Sequence, residues 1–298
     1  MPELITSPSN PKIKRLLALQ QKSSARREAG LFVVEGRREL QHCIDAGFTV
    51  DTLFVCPSLF NALQGGQLPP ETSGCAGPLP SDDGPLPLTM PRVARFPGAV
   101  ATAAGQAKVF EVSEEVYAKM AMREGTEGVV AEVKTPERRL EDIVLPANPL
   151  VVVLERVEKP GNLGAVLRSA DAAGADAVLV CDPLTDLWNP NLIRASIGAV
   201  FTVPCAACAS EAAIAFLKAR GIRILTAQLQ DSSLYYDCDM TGGTALVMGT
   251  EATGLTPVWR SAADAHIRIP MLGALDSLNV SVSAAILLFE AVRQRQNG

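Results

Sequence analysis

From Leu150 onward the chain alternates short apolar runs with longer helical patterns, and two of the runs, LVVVL at 150–154 and ALVM at 245–248, contain no polar residue. A strand with water on one face alternates polar and apolar side chains, whereas a strand that is apolar at every position is covered on both faces, as in the parallel sheet of an α/β unit. Strands are therefore expected at 150–155, 176–180, 222–227, 244–248 and 265–269, with helices near 163–173, 190–198, 210–220 and 277–295. Sheets of this kind bind ligands beyond the carboxyl ends of their strands. The loops that follow 155, 248 and 269 are where chemistry is to be sought.

The first half is organised differently. Helices are expected near 11–22, 37–46 and 114–122, with strands at 31–34, 50–55, 108–112 and 128–133. Between them, residues 64–98 hold eight prolines and six glycines and few apolar side chains able to form a periodic face, the composition of a mobile insertion. The 298 residues amount to two domains at roughly 150 residues each. The expected division is a small α/β domain over 1–135 carrying the insertion at 64–98, a Pro-containing linker over 136–149, and a second α/β domain over 150–298.

Hydrophobic residues at 48% and charged residues at 20% exclude a disordered, collagen-like or coiled-coil chain. A net charge of -5 argues, as an average, against a polyanionic partner. Residues 1–27 reverse that sign locally: Lys12, Lys14, Arg15, Lys22, Arg26 and Arg27 face Glu3 alone, a local +5. A solvated helix face and a polyanion contact both account for such a cluster. The start has no continuous apolar core of a secretory signal, and Ile13, Leu16, Leu17 and Leu19 read as the buried side of a first helix rather than as an organellar transit peptide. Ala195–Ser210 is uncharged but too short to span a membrane and is interrupted by Pro204. The location expected is the cytoplasm.

Seven cysteines, an odd number, point to free thiols. Cys205 and Cys208 form a CxxC, but the two histidines, His42 and His266, lie far from it in sequence, so small buried hydrophobes are expected and no metal site. The same scarcity of histidine disfavours a His-based acid or triad. No two glycines are spaced G-x-G and no Gly-Lys pair occurs, so neither a dinucleotide fingerprint nor a Walker A loop is present.

Three loops carry the remaining signal. ERVEKPGNLGAVLRSADAAG, residues 155–174, runs from a strand end through a Gly-containing turn into a helix, and a helix start with free N–H groups suits an anion; it brings Asn162 and Arg168. LVMGTEATGL, 246–255, places Gly249, Glu251 and Gly254 directly after a buried strand, where glycine lets backbone approach a ligand closely. In the third, beginning IPMLGALDSLNVSVSAAI at Ile269, Asp276 or Ser277 is the expected N-cap of the last helix, and Leu278, Val282, Ile286 and Phe289 form an apolar stripe expected to be core.

Taken in order and spacing, Asn162 with Arg168, then GTEATGL, then SLNVSVSAAI resemble the three motifs of the SpoU/TrmH family of RNA ribose 2'-O-methyltransferases, of the SPOUT class, across all of 150–298. The start, SPSNPKIKRLLAL through LFVVEGRREL, resembles the small α/β substrate-binding module that many members carry, with 64–98 as a departure from it. The resemblance implies a parallel α/β catalytic domain tied in a trefoil knot, working as a homodimer. It also implies an S-adenosylmethionine-dependent methyl transfer to a ribose 2'-hydroxyl, with ribosomal RNA the first substrate and transfer RNA the alternative. A non-catalytic RNA-binding protein with the same fold is the rival reading, and a nucleotide-binding oxidoreductase a distant one.

By the same resemblance the cofactor is held by Gly249, Ile269 and Leu278. Arg168, Asn162, Glu251, Ser277 and Asn279 form the catalytic set, in which the last four orient Arg168, the ribose and the cofactor. The family proposal makes Arg168 the base, but a guanidinium keeps its proton under nearly all conditions, which favours a bidentate phosphate and ribose clamp. RNA would be gripped through phosphates by Lys12, Lys14, Arg15, Arg26, Arg27, Arg37 and Arg38.

Overall fold

A computed structural model describes residues 3–60, 107–122, 127–250, 253–274 and 276–297. The insertion expected at 64–98, like Glu251, lies outside the described residues.

The first unit is a five-stranded sheet in the order β1-β4-β3-β5-β2, built from β1 (Glu3–Ile5), β2 (Leu31–Glu35), β3 (Val50–Val55), β4 (Lys108–Val112) and β5 (Val129–Lys134). Strands β1, β4 and β3 run parallel, while β5 pairs antiparallel with both β3 and β2. Helices α1 (Pro11–Gln21), α2 (Ser23–Ala29), α3 (Arg37–Asp45) and α4 (Glu114–Met120) surround it. Asn10 caps α1 by accepting from the Lys12 N–H, with Pro11 at the first helical position. Ile13, Leu16 and Leu19 of α1 are buried with Val116, Tyr117 and Met120 of α4 against one face of the sheet.

The second unit is a seven-stranded sheet in the order β10-β12-β9-β11-β6-β7-β8, and every pairing in it is parallel. Its strands are β6 (Leu150–Glu155), β7 (Ala177–Cys181), β8 (Cys205–Cys208), β9 (Arg223–Ala227), β10 (Ser233–Leu234), β11 (Thr244–Met248) and β12 (Ala265–Arg268). Helices α5 (Pro160–Ala172), α6 (Pro190–Ser196), α7 (Ala199–Thr202), α8 (Ser210–Ala219), α9 (Pro257–Ala262) and α10 (Val280–Asn297) cover both faces. All of β6, β7 and β11 are buried, as their unbroken apolar runs require.

The two units share a core. Phe32 of β2 stacks on Trp188 at 4.7 Å between ring centroids, Phe48 meets Phe201 edge-on at 5.2 Å, and the Arg138 guanidinium lies 5.0 Å from the Phe48 ring. Arg26 of α2 crosses the same boundary, donating to Asp186 at 2.5 Å and to the Leu19 carbonyl at 2.6 Å.

Several expectations are corrected. The helix expected at 190–198 ends at Ser196, because Ile197 and Gly198 both take positive φ, 55° and 88°, and a separate, unforeseen α7 follows at Ala199–Thr202. Strands β1, β8 and β10 and helices α2 and α9 were not foreseen. The last helix starts at Val280, not 277, and its cap is Asn279, whose Oδ1 accepts from the Ser281 N–H at 3.0 Å, rather than Asp276 or Ser277. The stripe Leu278, Val282, Ile286 and Phe289 is not core: Val282 and Phe289 are 46% and 49% exposed and Ile286 is half-buried, while Ala284, Leu287, Leu288 and Ala291 are buried. Helix α10 is apolar on two adjacent faces, so periodicity alone did not select the buried one.

Cys205 and Cys208 fall on a strand, where residues three apart point to opposite faces. Cys205 accepts from Arg138 in one core, and the Cys208 sulfur lies 3.9 Å from that of Cys181 in the other.

At Gly164 α5 packs closely on α6: a Cβ there would sit 2.6 Å from Ala195 Cβ and 2.8 Å from the Ser196 nitrogen. Gly164→Ala is therefore expected to destabilise the protein by about 1–3 kcal/mol through overpacking, read from urea unfolding. Unchanged stability would mean that the helices yield at no cost.

Candidate active site at the carboxyl edge of the parallel sheet

Because all seven strands of the second sheet point the same way, the loops after β6, β9, β11 and β12 emerge on one edge, where two neighbouring cavities open. The first is lined by Val157, Glu158, Lys159 and Asn162 after β6, by Gly249 and Thr250 after β11, and by Val280 at the start of α10. Pro160 at the first helical position opens α5 beside it. Asn162, one turn in, meets the cap of α10: Asn279 Nδ2 donates to Asn162 Oδ1 at 3.1 Å, while Asn279 Oδ1 accepts from the Ser281 hydroxyl at 2.6 Å. Two residues 117 positions apart are thus joined over the cavity.

Gly249 stands where no other residue fits. A Cβ at this position lies 2.3 Å from the Gly254 carbonyl carbon and oxygen and 2.6 Å from the Leu255 nitrogen. The chain folds back on itself there, Gly254 N donating to Thr250 O at 3.0 Å and Thr250 N to Gly254 O at 3.3 Å. Gly254 itself needs φ of 66°, which glycine adopts without strain.

The second cavity lies beyond β9 and β12. Ala227, Leu229, Ile267, Ile269, Met271 and Leu278 give it apolar walls, and Gln228, Asp276 and Ser277 its polar atoms. Ser277 Oγ donates to Asp276 Oδ1 at 3.3 Å. The Gln228 Oε1 is buried with no hydrogen-bond partner among the described residues.

Of the residues expected from sequence, Asn162 and Gly249 line the first cavity, Asn279 is joined to it through its hydrogen bond to Asn162, and Ile269, Ser277 and Leu278 line the second. Arg168 lines neither. It is exposed on α5, about 9 Å along the axis and about 240° round the helix from Asn162. Sequence reasoning missed Gln228 and Glu155; for the latter a signal was present, a single acid closing the apolar run of β6.

The basic residues of the first unit divide. Lys14 and Arg27 are exposed with no ion-pair partner among the described residues, and Lys12 and Arg38 are partly exposed in pairs with Glu3 and Glu39 at 3.1 and 3.2 Å. Arg15 holds Glu132, a fully buried carboxylate whose pKa is pushed up by burial against the pull of that guanidinium. Arg37 is tied to the Phe60 carbonyl and ring. The expectation of a phosphate contact fails for Arg26: its side chain is 5% exposed and its donors are spent on Asp186, Leu19 and Gln20.

No group of three or more His, Cys, Asp or Glu side chains that could hold a metal occurs among the described residues. No helix among them is long and apolar enough to cross a membrane.

Comparison with known proteins agrees with this geometry. Residues 149–289 match the SpoU rRNA Methylase family, and residues 10–74 match the MRM3-like substrate binding domain. The 23S rRNA (guanosine-2'-O-)-methyltransferase RlmB of Vibrio vulnificus is 40% identical over 175 residues, 57% of this chain and 71% of that protein. Among solved structures, an RNA 2'-O ribose methyltransferase is 35% identical, covers 98% of this chain and 99% of its own, and superposes with a TM-score of 0.75. The AdoMet-bound rRNA methyltransferase of Sinorhizobium meliloti is 29% identical, with 98% and 97% covered and a TM-score of 0.79. With its three loops gathered on one edge of a parallel sheet and relatives of this identity and coverage, the chain belongs to the SpoU rRNA methylase family.

Proposed function

We propose that this chain transfers a methyl group from S-adenosylmethionine to the 2'-hydroxyl of a ribose in ribosomal RNA. The observation that carries this reading is the meeting of Asn162 and Gly249 at one cavity, with Asn279 hydrogen-bonded to Asn162, beside a second cavity with apolar walls. The residues of the second cavity fit the cofactor: Ile269, Leu278 and Met271 offer the apolar surface that an adenine needs, and the unpartnered Gln228 Oε1 offers an acceptor to an amino group. When bound, S-adenosylmethionine supplies an electrophilic methyl on a sulfonium.

The protein's own residues then have to orient and to exclude water. Asn162, held by Asn279 and through it by the α10 cap, presents its amide group at the first cavity in a fixed arrangement. Holding the reacting oxygen and carbon in line supplies about 7–11 kcal/mol in favourable model systems. Lys159, on the rim, offers a charge to a phosphate. Arg168, exposed on α5 and outside the lining of both cavities, is assigned as the clamp for phosphate and ribose, because a guanidinium keeps its proton and does not serve as the ordinary acceptor of the hydroxyl proton. Glu251 and Ser277 complete the proposed set.

A homodimer through the second unit belongs to the same proposal. The half-exposed Val282 and Phe289 leave an apolar face on α10 that a second copy would cover. So do the trefoil knot, the division into a substrate-binding unit over 1–135 and a catalytic unit over 150–298, and action in the cytoplasm. RNA meets the first unit through Lys12, Lys14, Arg27 and Arg38, with Arg15 and Arg37 sharing their charge between RNA and internal partners.

Transfer of labelled methyl from S-adenosylmethionine into rRNA tests the reading. Arg168→Ala is expected to lower transfer by about a hundredfold or more while cofactor affinity is kept; equal loss of both would refute the clamp role. Gly249→Ala is expected to abolish cofactor binding by calorimetry, since its methyl displaces the 254–255 backbone, and undiminished binding would remove Gly249 from the site. Reversing charge at Lys14 and Arg27 is expected to weaken RNA binding and to reduce the salt slope by about 0.7–0.9 per lost phosphate contact. An unchanged slope would move the RNA elsewhere.

A further inference from the structure

The buried polar group closest in chain to the first cavity, yet outside every role assigned above, is Glu155. It ends β6, is 1% exposed, and gives both carboxylate oxygens to one residue: Thr256 N donates to Oε2 at 2.8 Å and Thr256 Oγ1 to Oε1 at 2.6 Å. A buried carboxylate is costly unless hydrogen-bonded, and bonds to a charged acceptor are the strong ones. Here both come from the far end of the loop that carries Gly249.

The link from Glu155 to the cavity is continuous. Thr256 follows Leu255, which is buried, and Gly254. Gly254 is paired in both directions with Thr250, and its carbonyl lies so close to Gly249 that a Cβ there has no room. Gly249 and Thr250 wall the first cavity. Displacing Thr256 therefore displaces the wall.

Helix α9, which begins just after Thr256, has a separate anchor. Trp259 is fully buried and its Nε1 donates to Ser210 Oγ at 2.9 Å, which in turn donates to Asp182 Oδ2 at 2.6 Å. The helix thus has a hold independent of Glu155, and Thr256, its N-cap, whose carbonyl accepts from Arg260 N at 3.2 Å, passes the Glu155 bonds to both the helix start and the returning arm of the loop.

We propose that Glu155 is a positioning residue: through Thr256 it sets the arm of the loop that returns from the first cavity, and with it the position of Gly249 and Thr250. The proposal rests on reading that cavity as the place where cofactor and ribose meet. Glu155 lines neither cavity.

The test uses the full chain with Glu155→Gln, Thr256→Val, Thr256→Ser and the double variant Glu155→Gln/Thr256→Val. Three quantities are measured: the dissociation constant for S-adenosylmethionine, amide hydrogen exchange at Thr253–Thr256 in cofactor-free protein, and the melting temperature. Glu155→Gln and Thr256→Val are each expected to weaken cofactor binding about tenfold, the scale of one bond to a charged group, and to speed exchange at Thr253–Thr256. The double variant is expected to be no worse than the weaker single, because both remove one link. Thr256→Ser, which restores the hydroxyl, is expected to recover what Thr256→Val loses. Unchanged affinity and exchange in a folded single variant, or additive losses in the double, would overturn the proposal. Should Glu155→Gln fail to fold, the Thr256→Val and Thr256→Ser comparison decides the same question. A wild-type chain that binds no S-adenosylmethionine would refute the proposed function instead, and the exchange comparison would still judge the latch.

Discussion

Seven strands of the second sheet run in one direction, and the rest of the molecule is arranged around that constraint. Parallel strands need crossover connections, so helices cover both faces and every strand between them is dry, which is why β6, β7 and β11 tolerate no polar interior position. The same parallelism sends the chain out at one edge after each strand. Asn162, Gly249 and Val280 come from three separate connections and still share one cavity, with Asn279 hydrogen-bonded to Asn162 beside it. Two close approaches make the arrangement tight, Gly164 against α6 and Gly249 against Gly254, and at each a side chain has no room.

The first unit is not a loosely tethered arm. Phe32, Phe48, Trp188 and Phe201 form one aromatic cluster across the boundary, Arg138 lies over two of those rings, and the Arg26–Asp186 pair closes it. Domains joined by few polar contacts move relative to each other, whereas an apolar junction of this kind opposes such motion. The exposed cations of α1 and α2 therefore stand at a set distance from the reaction edge. A net charge of -5 for the chain is compatible with an RNA partner because Lys14 and Arg27 are local and unpaired among the described residues.

Fold class was legible wherever one physical rule dominated. The dry strands at 150–155 and 244–248 lie where their apolar runs place them, since full burial leaves no other composition. The short elements were not legible: β8 is only Cys205–Cys208, with Ala206 and Ala207 between, and its alternation is too brief to register. The break at Ile197 hides because a β-branched residue at positive φ runs against local preference and is imposed by packing. At the site, the motifs singled out Asn162, Gly249 and Asn279, which the structure brings near one another because each follows a strand of the same parallel sheet. It did not locate Glu155, whose role depends on Thr256, 101 residues away. Charge count likewise counted Arg26 as a phosphate ligand because burial is invisible to composition; only the Asp186 across the boundary explains it.

The most direct measurement is a map of ribose 2'-O-methylation in total RNA from cells with and without the gene. A methyl group that disappears from one ribosomal RNA nucleotide when the gene is removed, and returns when the intact chain but not Arg168→Ala is supplied, is the result this structure leads to. An unchanged ribosomal RNA map, or a loss confined to transfer RNA, would contradict it.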